Sequence, residues 1–303
     1  MTHTLLRPCD VIVVNYNAGE LLQGCVRSAL EAGARRVIVV DNNSSDGSVE
    51  ALEAALASDQ LTIIQNANNL GFSRGCNAGV RVSDAEALLF LNPDCVLAPD
   101  ALERMFAVLD SGDGVGMVGG LLCNPDGSEQ PGGRRDFPTP GRAFARAFGL
   151  ARLGRIFPSL LSDFNLHQTP LPAGPTDVDA ISGACMLVSR KAIGAVGLWD
   201  EDYFLHCEDL DWCMRFRQAG WRVVFVPSAQ VVHVGGASSR ARPIFVEWHK
   251  HRGMLRFYAK FFRHQYPAPL WWLVVLGVWL RFMLVALWHG GRRLWGRLAG
   301  HWR

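Results

Sequence analysis

The chain of 303 residues is 49% apolar and 19% charged, a composition that supports a substantial folded core and excludes an intrinsically disordered protein. Its 30 basic and 28 acidic residues leave a net charge of +2, so the charge balance gives no argument for a nucleic-acid partner. The eight cysteines include no C-x-x-C pair, which argues against a structural zinc site and favours buried, reduced thiols.

The first part of the chain alternates short apolar runs with segments of helical spacing. Runs typical of buried parallel strands occupy residues 11–14, 37–40, 61–64 and 87–91. Helical spacing is found at residues 20–32, 48–56 and 73–82. This βαβαβαβ order predicts a Rossmann-like α/β fold whose mostly parallel sheet is flanked by helices. The first ten residues run directly into the first strand, so we expect no secretion signal.

The later part of the chain has weaker patterns. Residues 124–176 are rich in Gly, Pro and Arg, and we expect a long loop with short helices that is functional or mobile. Beyond this loop the pattern predicts a β-like segment at 179–188, a helix at 209–219, a strand at 222–226 and a further short strand at 231–234.

Polar residues follow three of the predicted strands. They are Asn15, Tyr16 and Asn17 after the first, Asp41 with a Ser/Asn/Gly turn after the second, and Asn92 and Asp94 after the fourth. Because ligands bind beyond the carboxyl ends of parallel strands, we expect these side chains to converge on one edge of the sheet.

Two of these carboxylates have both a chemical and a structural interpretation. Asp41 can accept hydrogen bonds from a base or ribose, or it can form an Asx turn that caps the next helix. Asp94 can hold Mg²⁺ or Mn²⁺ against a nucleoside diphosphate, or it can belong to a turn ahead of a helix at 100–109.

Two further motifs lie in the later part of the chain. Glu208 and Asp209 occupy the predicted start of a helix, where acidic residues also compensate the helix dipole. Their aromatic and apolar neighbours favour an enclosed carboxylate, which can act as a general base towards a sugar hydroxyl. His233 ends a short apolar run before Gly235 and Gly236, and it is a packed core residue or a ligand.

The order of these motifs resembles the family 2 glycosyltransferases with a GT-A fold, and most closely their bacterial rhamnosyltransferase-like branch. The matching segments fall within residues 11–238, about three quarters of the chain, and each is weak alone. They are 13–17, 40–48, 69–72 with Asn77 and Gly79, 91–94, Gly183, 208–211, and His233 with 235–236.

The resemblance implies a role for each matching residue. Asp41 would contact the nucleotide base, Asp94 and His233 would bind one metal ion, and Asp209 would deprotonate the acceptor hydroxyl with Glu208 orienting it or binding acceptor. The other implied donor-site residues are Asn15, Tyr16, Asn17, Asn69, Gly71, Asn77 and Asn92. Those implied near the sugars are Gly183, Trp199 and Asp211.

The implied activity is an inverting, metal-dependent transfer of a sugar from a nucleoside-diphosphate donor to a glycan or lipid-linked acceptor. One direct displacement inverts the anomeric centre and needs no carboxylate nucleophile. Asn92 departs from the family's D-x-D motif, in which an Asp is usual, and it is the one feature that favours a non-catalytic sugar-nucleotide or polysaccharide binding protein. A Rossmann dehydrogenase would need G-x-G-x-x-G after the first strand, which this sequence lacks.

The last sixty residues form an apolar and basic tail. We expect a catalytic domain over residues 1–240, with the nucleotide half ending near 123, and a helical membrane-associating tail over 241–303. Residues 270–288 are apolar except for Arg281, and both flanks are basic. A charge in mid-run and basic residues on both sides favour a peripheral or monotopic segment at the cytoplasmic face of the inner membrane. The alternatives are an oligomer interface and a helix packed on the catalytic domain.

Overall fold

The structure is a computed structural model that describes residues 8–56, 58–139, 165–235, 242–265 and 267–300. The chain forms two compact units. The larger takes its described residues from 8–137, 165–204 and 208–235, and the smaller from 138–139, 205–207 and 242–300. Gly236 and most of the predicted 124–176 loop beyond residue 139 lie outside the described residues.

A mixed β-sheet forms the centre of the larger unit. Its strands are β1 (Cys9–Asn15), β2 (Arg36–Asp41), β3 (Leu61–Gln65), β4 (Ala87–Leu91), β5 (Cys95–Leu97), β6 (Val115–Cys123), β8 (Thr176–Asp177), β10 (Cys185–Ser189) and β11 (Arg222–His233). The spatial order is β3-β2-β1-β4-β10-β6-β11-β5, with β8 also pairing with β11. A separate small ribbon pairs β7 (Arg134–Arg135) with β9 (Ala180–Ile181).

Strands β1 to β4 are parallel, as the βαβαβαβ pattern predicts, and their spatial order is 3-2-1-4. Their crossover helices are α1 (Leu21–Glu31), α2 (Ser48–Ala55) and α3 (Phe72–Val82). Every residue of β1 is buried, which explains its unbroken apolar run. Helix α3 lies close against β1, because a Cβ at Gly79 would be 2.6 Å from Ile12 and one at Gly75 would be 2.7 Å from Val14.

The later elements differ from the sequence predictions. The segment predicted at 179–188 is two strands, β9 and β10, and β10 runs antiparallel to β4. The two strands predicted at 222–226 and 231–234 are one strand, β11, whose pairing register with β6 shifts between Val226 and Gln230. The sequence patterns did not indicate β5 or β6. The remaining helices of this unit are α4 (Ala101–Leu109), α5 (Arg190–Val196) and α6 (Glu208–Gln218).

The described part of the smaller unit is mainly two helices, α7 (Pro243–Phe261) and α8 (Ala268–Gly300). Their aromatic side chains pack together, with Trp248 4.9 Å from Trp279 between ring centroids. Arg281, which interrupts the apolar run of α8, donates from Nη1 to Nε2 of the buried His251 over 3.2 Å. The tail is therefore helical as predicted, and the one charge within its apolar run of residues 270–288 has a partner on the neighbouring helix.

Among the described residues, one helical stretch is long and apolar enough to cross a bilayer by length and composition. This stretch is Ala268–Arg292, with a mean hydropathy of 2.1, and its most apolar part is not buried by the protein. Large apolar side chains such as Leu276 and Leu287 are exposed along it.

Candidate active site

The carboxyl ends of β1 and β2 meet in a hydrogen-bonded turn. Asn15 and Asp41 are register partners, and Asn15 Nδ2 donates to Asp41 Oδ1 over 2.8 Å. Ser44 donates its backbone N–H to Asp41 Oδ2 over 2.9 Å and its hydroxyl to Oδ1 over 2.6 Å. Asn15 and Asp41 are both buried. Asp41 thus holds a turn, but it does not cap the next helix, whose N-cap residue is Gly47. Its contact with a nucleotide base stays a prediction.

Tyr16 and Asn17 lie half-buried beside this turn. Asn17 has a φ of 53°, and its Oδ1 accepts the N–H of Ser45 over 2.8 Å. Asp46 in turn accepts the N–H of Gly19 over 2.7 Å. These bonds hold the turn after β2 against the segment after β1, so the two strand ends present one joined surface to a ligand.

The loop before α3 has a shape that requires glycine. Asn69 Oδ1 accepts the N–H of Gly71 over 2.9 Å, and Gly71 has a φ of +86°. A Cβ on Gly71 would be 2.6 Å from the carbonyl oxygen of Phe204. The buried Asn42 donates to the carbonyl of Gly71 over 3.1 Å. Asn69 and Gly71 thus shape this loop, and their predicted contact with the donor stays a prediction.

Asp94 and His233 lie side by side, as expected for two residues on one edge of the sheet. His233 pairs in register with Cys95 where β11 meets β5, which brings its ring to the segment after β4. His233 Nε2 is 3.2 Å from Asp94 Oδ1 and 3.5 Å from Asn92 Nδ2. The other ring nitrogen, Nδ1, is 2.5 Å from Oε1 of Gln130.

The spacing of this pair fits a shared divalent cation. Ligand atoms at adjacent corners of an octahedral Mg²⁺ or Mn²⁺ site are about 3 Å apart, since each lies ~2.1 Å from the ion. A carboxylate oxygen suits either ion, and an imidazole nitrogen suits Mn²⁺ better than Mg²⁺. Asp94 and His233 therefore have the donor atoms and the spacing for the metal role that the sequence predicted, although the metal itself stays a prediction.

Cys95 has its sulfur near the same two ligand atoms, with all three within 4.8 Å of one another. Its thiol is fully buried and donates to the carbonyl of Ala184 over 3.5 Å. Burial raises the pKa of Cys95 well above its usual value, and the nearby Cys25 acts in the same direction. Mg²⁺ and Mn²⁺ prefer oxygen ligands to sulfur, so Cys95 is the least suited of the three groups to either ion.

Asp209 is held by donors from three segments of the chain. Its Oδ2 accepts Arg135 Nη2 over 2.5 Å and the N–H of Gly183 over 3.2 Å, and its Oδ1 accepts the N–H of Leu210 over 2.8 Å. The side chain remains 15% exposed, so a substrate can reach it. A Cβ on Gly183 would be 3.4 Å from the Asp209 Cβ, so Gly183 allows a close approach.

These contacts control the ionisation of Asp209. Burial acts to raise its pKa, but the charge and hydrogen bond of Arg135, with the amides of Gly183 and Leu210, outweigh burial and hold the pKa below its usual range. The carboxylate is therefore ionised and able to accept a proton at neutral pH. Glu208, next to it in the chain, is buried at the first residue of α6, and its predicted supporting role stays a prediction.

A short loop joins the Asp94–His233 pair to Asp209. Gly183 donates to Asp209, and the carbonyl of the next residue, Ala184, accepts the N–H of Asn92 over 3.0 Å. The candidate metal ligands and the candidate base thus lie on the two sides of one backbone segment, within the larger unit.

Three predicted site residues have structural roles in the described protein. Asn77 is 1% exposed, and its amide bonds to the backbone of Trp199 in both directions and to Glu201. Trp199 is 2% exposed and packs among Phe72, Phe90 and Trp212. Asp211 is fully buried and accepts Arg215 Nε over 2.7 Å. These contacts are all within the protein, and the predicted places of Asn77 in the donor site and of Trp199 and Asp211 in the sugar site stay predictions.

Two residues that contact the site were not predicted from the sequence. Arg135 bonds to Asp209, and Gln130 bonds to His233. Both lie in the irregular segment after β6, where no periodicity marks a functional side chain. The sequence signal available was the Arg-rich and Gly-rich composition of a loop too long to be a simple connection.

Comparison with known proteins places this geometry in a family context. The family model described as "Glycosyl transferase family 2" matches residues 10–195. The chain is 30% identical to the N-acetylglucosaminyl-diphospho-decaprenol L-rhamnosyltransferase of Mycobacterium tuberculosis, over 86% of this chain and 87% of that protein. It is 27% identical to rhamnosyltransferase WbbL of Escherichia coli, over 53% of this chain and 57% of WbbL.

A solved structure shows the same fold. The mannosyltransferase PcManGT from Pyrobaculum calidifontis, solved with GDP-Man and Mn²⁺, superposes with a TM-score of 0.58. The match covers 96% of this chain and 81% of PcManGT at 18% sequence identity, so it bears on the fold alone. The GT-A class predicted from the sequence is confirmed.

Proposed function

The chain belongs to glycosyl transferase family 2 and transfers sugars in polysaccharide synthesis, and from this premise we propose that it is an inverting, metal-dependent enzyme with Asp209 as its base. The observation that carries the proposal is the arrangement around Gly183 and Ala184. An ionised, partly exposed carboxylate lies on one side of this segment, and the Asp94–His233 pair lies on the other.

Asp209 and the residues that hold it act on the acceptor. Asp209 accepts the proton of the acceptor hydroxyl as that oxygen attacks the anomeric carbon from the face opposite the diphosphate. Arg135, Gly183 and Leu210 fix the carboxylate in one orientation, so little reorganisation is needed when the acceptor binds. A single displacement of this kind inverts the anomeric centre, in contrast to the two steps of a retaining enzyme.

The leaving group is served by the other half of the site. Asp94 and His233 would hold Mg²⁺ or Mn²⁺, and the bound ion would neutralise the charge that develops on the departing nucleoside diphosphate. Asn92 lies beside this pair in place of an acidic residue, so it contributes an amide rather than a charge. The joined ends of β1 and β2, with Tyr16 and Asn17 half-buried there, support a nucleotide position next to the pair.

The relatives suggest the class of substrates. The Mycobacterium tuberculosis protein is named as an L-rhamnosyltransferase acting on a decaprenol-linked acceptor. The corresponding donor here is a rhamnose-carrying nucleoside diphosphate, and the acceptor is a glycan or a lipid-linked glycan. A lipid-linked acceptor stays at the bilayer, and the exposed apolar surface of α8 with its basic flanks supports attachment at the cytoplasmic face of the membrane.

A donor panel tests the proposal. Purified full-length protein is incubated with Mn²⁺ or Mg²⁺, an acceptor and several sugar nucleotides, and nucleoside diphosphate release is measured, with the product anomer determined by NMR. We expect release with at least one donor, an inverted product, and a rate at least about a hundredfold lower for Asp209→Asn with donor affinity little changed. Donor binding without release for any donor would favour the non-catalytic binding protein. A retained anomeric configuration would rule out the single displacement.

A further inference from the structure

We infer that Gln130 is a positioning residue that fixes the ring of His233 with its Nε2 lone pair towards Asp94. The inference rests on the proposed metal role of that pair, but it concerns the orientation of the histidine itself. Gln130 lies in the turn that follows β6, and its backbone N–H donates to the carbonyl of Leu122 over 2.8 Å, which fixes its place beside the strand.

The orientation of the Gln130 amide follows from its partners. Its Nε2 donates to the backbone carbonyl of His233 over 3.3 Å and to Asn124 Oδ1 over 3.2 Å. A backbone carbonyl can only accept, so the nitrogen of the amide must face it and the flipped arrangement is excluded. The oxygen of the amide, Oε1, therefore faces His233 Nδ1 at 2.5 Å.

This orientation determines which ring nitrogen carries the proton. An amide oxygen has no hydrogen to donate, so His233 Nδ1 must be the N–H donor. In the neutral ring Nε2 then has a lone pair, and that lone pair faces Asp94 Oδ1 at 3.2 Å. Nε2 of the neutral ring can accept but not donate, so it makes no hydrogen bond to the Asp94 carboxylate, and the donor beside it is the Asn92 amide, with Nδ2 at 3.5 Å. Gln130 thus leaves the Nε2 lone pair available to a cation that Asp94 also binds.

The surroundings of Gln130 preserve this arrangement. Gly235 has a φ of +71°, and a Cβ there would be 3.4 Å from the Gln130 Nε2, so the glycine leaves room for the amide. Asn124 is itself fixed by its Nδ2, which donates to Ser128 Oγ over 3.0 Å. A histidine ligand whose second ring nitrogen is bonded in this way usually loses 10–100-fold in metal affinity when the supporting group is removed.

Two measurements on the full-length protein test the inference. Mn²⁺ binding is followed by electron paramagnetic resonance, with Mn²⁺ alone and with Mn²⁺ plus dTDP or UDP. The tautomer of His233 is read from ¹⁵N–¹H spectra of the metal-free protein at pH 8, with signals identified by their loss in His233→Asn. The variant is Gln130→Met, which removes the acceptor at similar size. Gln60→Met is the matched control, because the Gln60 amide bonds to the carbonyls of Ala34 and Arg35 at the other end of the strands.

We expect the metal-free protein to show the Nδ1–H tautomer at His233. We expect Gln130→Met to weaken Mn²⁺ binding about 10–100-fold, while Gln60→Met stays within a few fold of the parent protein. An Nε2–H tautomer or an imidazolium in the parent protein would overturn the inference whatever the variants do. Unchanged Mn²⁺ affinity in Gln130→Met would also overturn it. If the parent protein shows the Nδ1–H tautomer but binds no Mn²⁺, the proposed metal role fails while the positioning of His233 stands.

Discussion

Arg135 Nη2 lies 2.5 Å from Asp209 Oδ2, and the same nitrogen donates to the carbonyl of Ile181 over 3.2 Å. The guanidinium is therefore anchored to β9 while it contacts the candidate base from β7. Such an arrangement has opposite effects on catalysis. It keeps Asp209 ionised and oriented, but it also makes the carboxylate a weaker base than an unpaired one would be.

The pH dependence of activity should reveal this pairing. Arg135 holds the pKa of Asp209 below its usual range, so the base stays ionised until the pH is low. In Arg135→Gln the effect of burial is no longer opposed by a charge, and the pKa of Asp209 rises. The acidic limb of kcat/KM, where activity falls as the base is protonated, should then move upward by about 1–3 pH units. The measurement is kcat/KM against pH for the parent and the variant.

Arg222→Gln is the control for this experiment, because Arg222 pairs with the exposed Asp177 on the surface of the same unit. Its profile should match that of the parent protein. If Arg135→Gln lowers activity at every pH without moving the acidic limb, Arg135 acts on the fold or on substrate rather than on the ionisation of Asp209.

The turn around Asp41 gives a second prediction. Asp41→Ala removes the acceptor for Ser44 and for Asn15, so we expect the free energy of unfolding to fall by about 1–3 kcal/mol. If Asp41 also contacts the nucleotide base, the donor KM should rise more in Asp41→Ala than in Ser44→Ala, which disturbs the turn but keeps the carboxylate. Chemical denaturation and donor kinetics measure the two effects. Equal KM values in both variants would show that Asp41 acts only through the turn.

Two glycines with positive φ differ in what surrounds them, and Gly71 also has a ψ of 174°, which favours glycine by itself. Gly71 and Gly127 have φ values of +86° and +83°, but only Gly71 has atoms within 4 Å of the position of a Cβ. Gly127→Ala should therefore cost about 1 kcal/mol of unfolding free energy from the left-handed backbone alone. Gly71→Ala should cost about 2 kcal/mol or more, because its Cβ would be 2.6 Å from the Phe204 carbonyl. Equal losses in denaturant midpoint for the two variants would mean that this loop relaxes away from Phe204.

The tail provides the fourth prediction. Leu276 and Leu284 are 64% and 61% exposed on α8, so replacing both with Glu should abolish cosedimentation with anionic vesicles without disturbing packing. Leu171→Glu, at a 47% exposed residue of the larger unit, is the matched control and should sediment as the parent does. Truncation before Pro267 should give the same loss. Activity on a water-soluble acceptor should survive both changes better than activity on a lipid-linked one.

If the Leu276→Glu/Leu284→Glu variant binds vesicles as well as the parent protein does, α8 is not the membrane-binding element. A parent protein that is soluble without detergent and does not bind vesicles would instead identify the apolar surface as a protein–protein interface.

The first half of the fold and the identity of the chemical groups follow from the sequence alone. Strands β1, β2 and β4 are almost wholly buried, so their apolar runs are continuous, and the polar residues that follow them lie at the carboxyl edge of the sheet, where ligands bind in folds of this kind. Asp94 and Asp209 could be identified because each carboxylate lies next to a patterned element. Asp94 follows the fourth apolar run, and Asp209 lies at the start of a predicted helix.

Which side chains are held inside the protein, and by which partners, follows from the tertiary structure alone. Asn77 and Asp211 occur in matching motifs and are buried with internal hydrogen bonds, and Trp199 packs among aromatic rings. Arg135 and Gln130 lie in a segment without periodicity, and each reaches a partner on a distant strand or helix. Such contacts depend on antiparallel pairing of β7 with β9 and of β5 with β11, between segments far apart in the chain. Local sequence patterns indicate burial and turns, but they do not indicate which distant segments pair.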